Sequence, residues 1–284
     1  MGATMSVRSR AGALVARARP RGPFASWSEV DTDTDPAAYF AYLDAMDEAE
    51  SIAAARRRSY ELLGASAGAE ILEVGAGTGT AAFALAALVA PDGRVVGVDR
   101  SEAMVAEALR RRGDRDGCEF VVGDATCLSF EDRSFDGYRA ERVYEHIEEP
   151  AAALAEARRV LRPGGRIVIT EPDWEAMIVD APDKELTRRV LAGVADCQTQ
   201  PWIGRQLQRL LSEAGFADVR TEARTNVSTG FGDRERGRMR LFASLAAASV
   251  GETRAERWIA GVEERARAGV FFAATTFFVA SATR

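Results

Sequence analysis

The sequence predicts an α/β fold built on a doubly wound, largely parallel sheet, and three observations predict it. The apolar run Glu70-Ile-Leu-Glu-Val74 leads into three glycines at alternate positions, Gly75, Gly77 and Gly79, and a helix-forming run begins at Ala81. That order reads as strand, tight turn and helix start, because glycine lets the backbone turn sharply and exposes main-chain N–H groups to a ligand. Apolar, β-branched runs then alternate with helix-like runs, the pattern of successive βα units. Finally, Asp99 ends the second such run 20 residues beyond Gly79, where a doubly wound fold puts a carboxylate on ribose hydroxyls. Taken alone, the glycine turn has two readings: a nucleotide-type cofactor lying over the first strand, or a connection that binds nothing.

Length and composition narrow the class. A chain of 284 residues holds one generous domain or a domain plus a modest lid, and 47% hydrophobic with 28% charged residues is an ordinary globular composition. The net charge of −6 argues against phosphate-backbone binding, so no nucleic-acid partner is expected. No apolar run approaches the roughly 20 residues of a membrane span, so no membrane partner is expected. Cys118, Cys127 and Cys197 form no CxxC pair, which predicts reduced, mostly buried thiols in a cytoplasmic protein and no metal site. His146 is the only histidine and Lys184 the only lysine, which excludes a multi-histidine metal centre and leaves Schiff-base chemistry only to Lys184.

The elements follow in order. Residues 1–30 are expected to be a flexible Arg-rich leader, and 31–64 to carry helices. Asp35-Pro36 opens the first, with Tyr39, Leu43 and Met46 on one face and Phe40 beside them; Ser51–Leu63 forms the second and stops at Gly64. After the glycine turn comes a helix over Ala81–Val89, broken by Pro91-Asp92-Gly93, then a strand over Arg94–Asp99 and a helix over Ser101–Arg112. Cys118–Val122 and Ser134–Arg139 are the third and fourth strands, and Arg166–Thr170, after the turn signal Leu161-Arg-Pro-Gly-Gly165, is the fifth. Residues 175–201 read as a polar, loop-like connection. Ile203–Ala214 is a helix with Ile203, Leu207, Leu210 and Leu211 as its buried stripe, and Ala217–Arg224 is a sixth strand. Two helices over Arg238–Val250 and Thr253–Ala268 precede a seventh strand at Val270–Ser281; this insertion, 226–269, is a buttress, a substrate lid or a dimer surface.

At this point Leu72-Glu-Val-Gly-Ala-Gly-Thr-Gly79, Val98-Asp-Arg-Ser-Glu-Ala-Met104, Val122-Gly-Asp-Ala125, Ser134-Phe-Asp136 and Leu161-Arg-Pro-Gly-Gly165 together resemble a class I S-adenosylmethionine-dependent methyltransferase. The likeness is to its ubiquinone-biosynthesis-like, small-molecule group, and it covers about residues 60–225. The resemblance implies a seven-stranded, mostly parallel sheet whose last strand is antiparallel, within a cofactor-binding domain spanning 65–284. It implies S-adenosylmethionine as cofactor. Glu73 would hold its methionine end; Gly75, Ala76, Gly77 and Gly79 would bring backbone against it; Asp99 would take the ribose. Arg100 and Met104 would border the adenine, Asp124 and Ala125 would bind its edge, and Arg139 and Ala140 would lie near the sulfonium. The fourth strand's exit, Ala140-Glu-Arg-Val-Tyr-Glu-His146, carries more charge than the family's apolar-rich version.

Methyl transfer needs alignment and exclusion of water more than a proton carrier, so no catalytic residue stands out. His146 is a candidate base, set against a role as a structural cap. Tyr39, Phe40, Tyr144, Trp174 and Trp202 would suit an apolar or aromatic acceptor, set against ordinary core packing. The expected activity is methylation of a small organic molecule, a specialised metabolite or quinone-like compound. Self-association would use the N-terminal or inserted helices. The alternatives are a cofactor-binding scaffold, or a cyclisation-guiding protein, on the same fold. A dinucleotide-dependent oxidoreductase is disfavoured because Thr80 stands where that glycine pattern wants Gly or Ala.

Overall fold

In the computed structural model residues 27–33 and 35–284 are described; the Arg-rich leader expected over 1–30 lies outside them up to residue 26. Five strands run parallel: β1 (Glu70–Val74), β2 (Arg94–Asp99), β3 (Cys118–Val122), β4 (Phe135–Glu141) and β5 (Leu161–Pro172). They are joined by α3 (Thr80–Val89), α4 (Glu102–Arg112) and α5 (Pro150–Val160). Antiparallel to β5 lies β8 (Ala273–Thr283), which also pairs with β7 (Ala217–Ser228) and with the two-residue β6 (Ile178–Val179). The order is β3-β2-β1-β4-β5-β8, with β6 and β7 both on β8. Strand order therefore reverses beside β1, and its C-terminal end faces a crevice.

Alternation along the parallel strands divides the core. Leu72, Val74, Ala140, Ile167 and Ile169 pack against α5 and α7 (Ile203–Glu213). Ile71, Val95, Phe120 and Val168 pack on the other face against α2 (Glu50–Leu63), α3 and α4. Burial on both faces is why these strands read as continuous apolar runs. The turn signal Leu161–Gly165 lies inside β5 as a bulge: Phe135 pairs with Leu161, then Gly137 with Arg166.

The connection 175–201 is not a loop. It contains β6 and α6 (Lys184–Ala195), whose start is capped by Asp183 accepting the Leu186 N–H at 2.9 Å. Leu186, Val190 and Val194 are buried with Met239, Phe242 and Ala246 of α8 (Asp233–Val250) and Trp258 and Val262 of α9 (Glu252–Arg267). This second core joins two separate stretches of sequence. At Gly193 a Cβ would come 2.3 Å from Ser249 Oγ and 3.3 Å from Ala246 Cα, so only glycine lets α6 and α8 approach this closely. Of the thiols, expected to be mostly buried, only Cys118 is; Cys127 and Cys197 are exposed.

Candidate functional site

A cleft of about 2190 Å³ opens over the C-terminal ends of β1, β2 and β4. Its floor is the glycine turn, with Gly75, Gly77 and Gly79 at φ +68°, +53° and +91°. A Cβ on Gly75 would lie 2.1 Å from Val143 Cγ2, so the turn and the β4 exit touch only because that residue is glycine. Asp99 ties the turn to β2: Oδ2 accepts the Gly77 N–H at 2.8 Å and Oδ1 the Ser101 N–H at 3.0 Å. Each oxygen keeps a second lone pair, and burial pushes this carboxyl above its ordinary range. Asp124 stands at the rim, where Oδ1 accepts from the Thr126 N–H and hydroxyl, each at 2.7 Å; those bonds hold its pKa low.

Beneath the turn runs a buried charge chain. Arg139, with no exposed surface, donates to Glu73, to Glu141 and to Ser59 Oγ. Glu141 is gripped from the other side by Arg56, Nε and Nη2 each at 3.0 Å, and Arg56 reaches Asp47 at 2.7 Å. Burial pushes Glu73 up to about 7 although Arg139 opposes it, and Glu73 Oε2 is a buried oxygen without a hydrogen-bond partner among the described residues. Glu141, between two guanidiniums, is held down at about 2 even though burial works the other way.

The roof comes from before the first strand. The 3-10 helix Trp27–Thr32 is tied down by Asp31, which accepts from the Ser101 hydroxyl at 2.6 Å and the Glu102 and Ala103 N–H groups at 3.1 and 2.9 Å. Tyr42, Leu43 and Met46 of α1 (Pro36–Asp47) line the cleft beside Trp27. The far end is lined by Trp174, Met177, Leu241, Phe242 and Phe277, with Arg238 between Glu235 Oε2 at 2.6 Å and Thr275 Oγ1 at 3.1 Å.

Of the residues singled out from sequence, Glu73, Gly75, Ala76, Gly77, Asp99, Arg100, Met104, Asp124, Ala125, Arg139, His146 and Trp174 line the cleft. The others lie elsewhere, each for a physical reason. Gly79 faces packing: a Cβ there would be 2.9 Å from the Phe83 and Phe120 rings. Ala140 points to the opposite face of β4 from Arg139 and is buried against α5 and α7. Tyr144 is buried, its hydroxyl 3.0 Å from that of Tyr138. Tyr39 packs with Val30 and Met104, Phe40 against that cluster, and the Tyr39 hydroxyl donates to Asp33 at 3.1 Å. Trp202 is 44% exposed, under the Arg205 guanidinium.

His146 ends the 3-10 turn Tyr144–His146 and is half-buried at the cleft. The imidazole sits 6.2 Å from the Trp27 ring, with Nε2 3.6 Å from Glu145 Oε1, and burial holds its pKa below the usual value. Sequence reasoning missed Glu171, whose buried carboxylate accepts the Val143 and Tyr144 N–H groups at 2.9 and 2.8 Å and the Glu145 N–H at 3.3 Å. No local pattern marks it. Tyr42 had a signal, since it lies three residues after Tyr39 and four before Met46, both on the face singled out from sequence.

Comparison with known proteins agrees with this geometry. A family model described as "Methyltransferase domain" matches residues 72–169. An uncharacterised 37.1 kDa protein in transposon TN4556 of Streptomyces fradiae is 38% identical over 242 residues, 84% of this chain and 69% of that protein. A demethylmenaquinone methyltransferase of Beutenbergia cavernae is 44% identical over 123 residues, 42% of this chain; the match spans only about half of that relative, 48%. Among solved structures, the [4+2]-cyclase SpnF is similar at a TM-score of 0.51 and 24% identity, covering 81% of this chain and 79% of that one, a likeness of fold alone. The glycine turn, Asp99 and Asp124 at one strand-end crevice, inside a matched methyltransferase domain, mean that this chain carries a class I methyltransferase domain of the S-adenosylmethionine-dependent family.

Proposed function

We propose that this protein transfers a methyl group from S-adenosylmethionine to a small, largely apolar organic acceptor. One observation carries the reading: a single cleft of about 2190 Å³ joins the glycine-turn site to a second, aromatic-lined chamber. Pockets for one small ligand run to about 300–1,000 Å³, so there is room for two molecules side by side. The residues fit the cofactor, because Glu73 Oε2, beside the glycine turn on the cleft, is a buried oxygen without a hydrogen-bond partner among the described residues.

When bound, S-adenosylmethionine supplies a sulfonium-activated methyl group, transferred by in-line displacement with a neutral thioether leaving. Glu73 and the Gly75–Gly77 backbone would hold its methionine end, Asp99 its ribose, and Asp124 with the Ala125 N–H its adenine, under the side chain of Met104. The roof formed by Trp27–Thr32 and α1 would exclude water. His146, kept neutral near pH 7 by burial, can take a proton from an acceptor that must lose one. The demethylmenaquinone methyltransferase relative supports a quinone-like acceptor. No helix among the described residues is long and apolar enough to cross a membrane, which is compatible with the cytoplasmic setting we propose. For self-association, α8 and α9 are the proposed surface, tested by light scattering.

The deciding experiment is calorimetric titration with S-adenosylmethionine and, separately, with NADH, followed by transfer of labelled methyl to hydroquinones and phenols. Binding of the first only, with label transfer, is expected. Binding without transfer to any acceptor would favour the scaffold reading, and binding of NADH alone would sink ours.

A further inference from the structure

Arg142 follows the last residue of β4 and carries a backbone φ of +58°. A non-glycine side chain in the left-handed region is strained, and such strain gathers where a site requires it. Here the strain is held from outside. The Arg142 N–H donates to the Thr170 carbonyl at 2.9 Å, and the next three N–H groups all converge on the buried Glu171 carboxylate.

This arrangement carries a cation onto the cleft. Arg56, Arg139 and Arg238, also on the cleft and largely buried, each hold a carboxylate. The Arg142 guanidinium enters no ion pair among the described residues, and its Nε is buried without a hydrogen-bond partner. Neighbouring acids are already engaged: Glu141 by Arg56 and Arg139, Glu145 by the Trp174 indole N–H, Glu171 by the three N–H groups. Arg142 lines the cleft and is adjacent to Val143, which rests on Gly75 of the glycine turn. Burial raises the Tyr42 phenol above its ordinary value, and the Arg142 charge opposes that rise.

A buried donor left unpaired is costly, and a guanidinium matches the two oxygens of a carboxylate or a single oxyanion. We infer that Arg142 is the specificity-determining residue for the acceptor, gripping an anionic oxygen, a carboxylate or ionised hydroxyl, on an otherwise apolar ring. The inference deepens the methyl-transfer reading and rests on it for naming the chamber's occupant an acceptor.

The test uses 1-hydroxy-2-naphthoate and its methyl ester, titrated against the full protein alone and followed by quenching of Trp27 and Trp174 fluorescence. Because no cofactor is present, the titration is read independently of S-adenosylmethionine binding. Wild type should bind the acid at least about tenfold more tightly than the ester. Arg142→Gly, which suits the left-handed backbone and so keeps the fold, should bind the two alike, and Arg142→Lys should recover part of the preference. S-adenosylhomocysteine affinity, measured by calorimetry, should be unchanged in both variants. Equal binding of acid and ester by wild type, binding of neither, or a preference that survives Arg142→Gly would overturn the proposal. So would a loss of S-adenosylhomocysteine affinity in Arg142→Gly, which would assign the guanidinium to the cofactor.

Discussion

Glu73 shows how one buried carboxyl can report on ligand binding. Burial raises it from the ordinary 4.5 to about 7. A carboxyl that keeps its proton longer in the folded state makes stability fall as pH rises from the unfolded value to the folded one. Wild type should therefore lose stability relative to Glu73→Gln between about pH 4.5 and pH 7, and run parallel to it above, as followed by urea melts. A cationic ligand beside Glu73 favours its ionised form. S-adenosylmethionine binding near pH 6 should then release a proton, seen as a calorimetric enthalpy that varies with buffer, and Glu73→Gln should abolish that variation. Arg139 is the counterpart. Replacing it by Met strands Glu73 in the core and leaves Glu141 to Arg56 alone, at a cost of about 3–5 kcal/mol. A melting temperature within a degree of wild type would contradict that role.

At the scale of elements, the β4 exit and the α6–α8 crossing were the least legible. Glu171 lies 26 to 28 residues from the N–H groups it gathers, and such a contact leaves no trace in local spacing. The sequence Pro182-Asp183 followed by Leu186, Val190 and Val194 did carry a cap and a helical stripe, but its polar flanks read as loop. The crossing at Gly193 makes a sharp prediction. Gly193→Leu should destabilise by about 1–3 kcal/mol through overpacking against Ala246 and Ser249. Hydrogen exchange should quicken in α6 and α8 while S-adenosylmethionine affinity stays near wild type. The roof is held differently, by Asp31 over the start of α4. Asp31→Ala should speed exchange across Trp27–Thr32 and weaken cofactor binding together; a change in neither would separate the roof from the site.

For the whole molecule, the sheet's core and the helical core of α6, α8 and α9 are distinct clusters, while the cleft is lined from both. Binding at the glycine turn should therefore protect unevenly. At about a hundred times Kd a ligand adds roughly 2.7 kcal/mol. Added hydrogen-exchange protection should concentrate in Trp27–Thr32, the turn after β1 and the start of α4, with α9 barely affected. Uniform protection would mean that the two cores behave as one cooperative unit.

The sequence by itself determined the α/β class, the parallel strands β1 to β5, the glycine turn, and Asp99 and Asp124 beside it. Each is written in local periodicity or in a fixed interval along one βα unit. Only the tertiary structure decided which aromatics reach the cleft, that Tyr144 spends its hydroxyl on Tyr138, and that α6 shares a core with α8 and α9. It alone placed Arg142 on the cleft without an ion pair among the described residues. Burial and charge pairing depend on residues far apart in the chain, and local spacing cannot encode which of them meet.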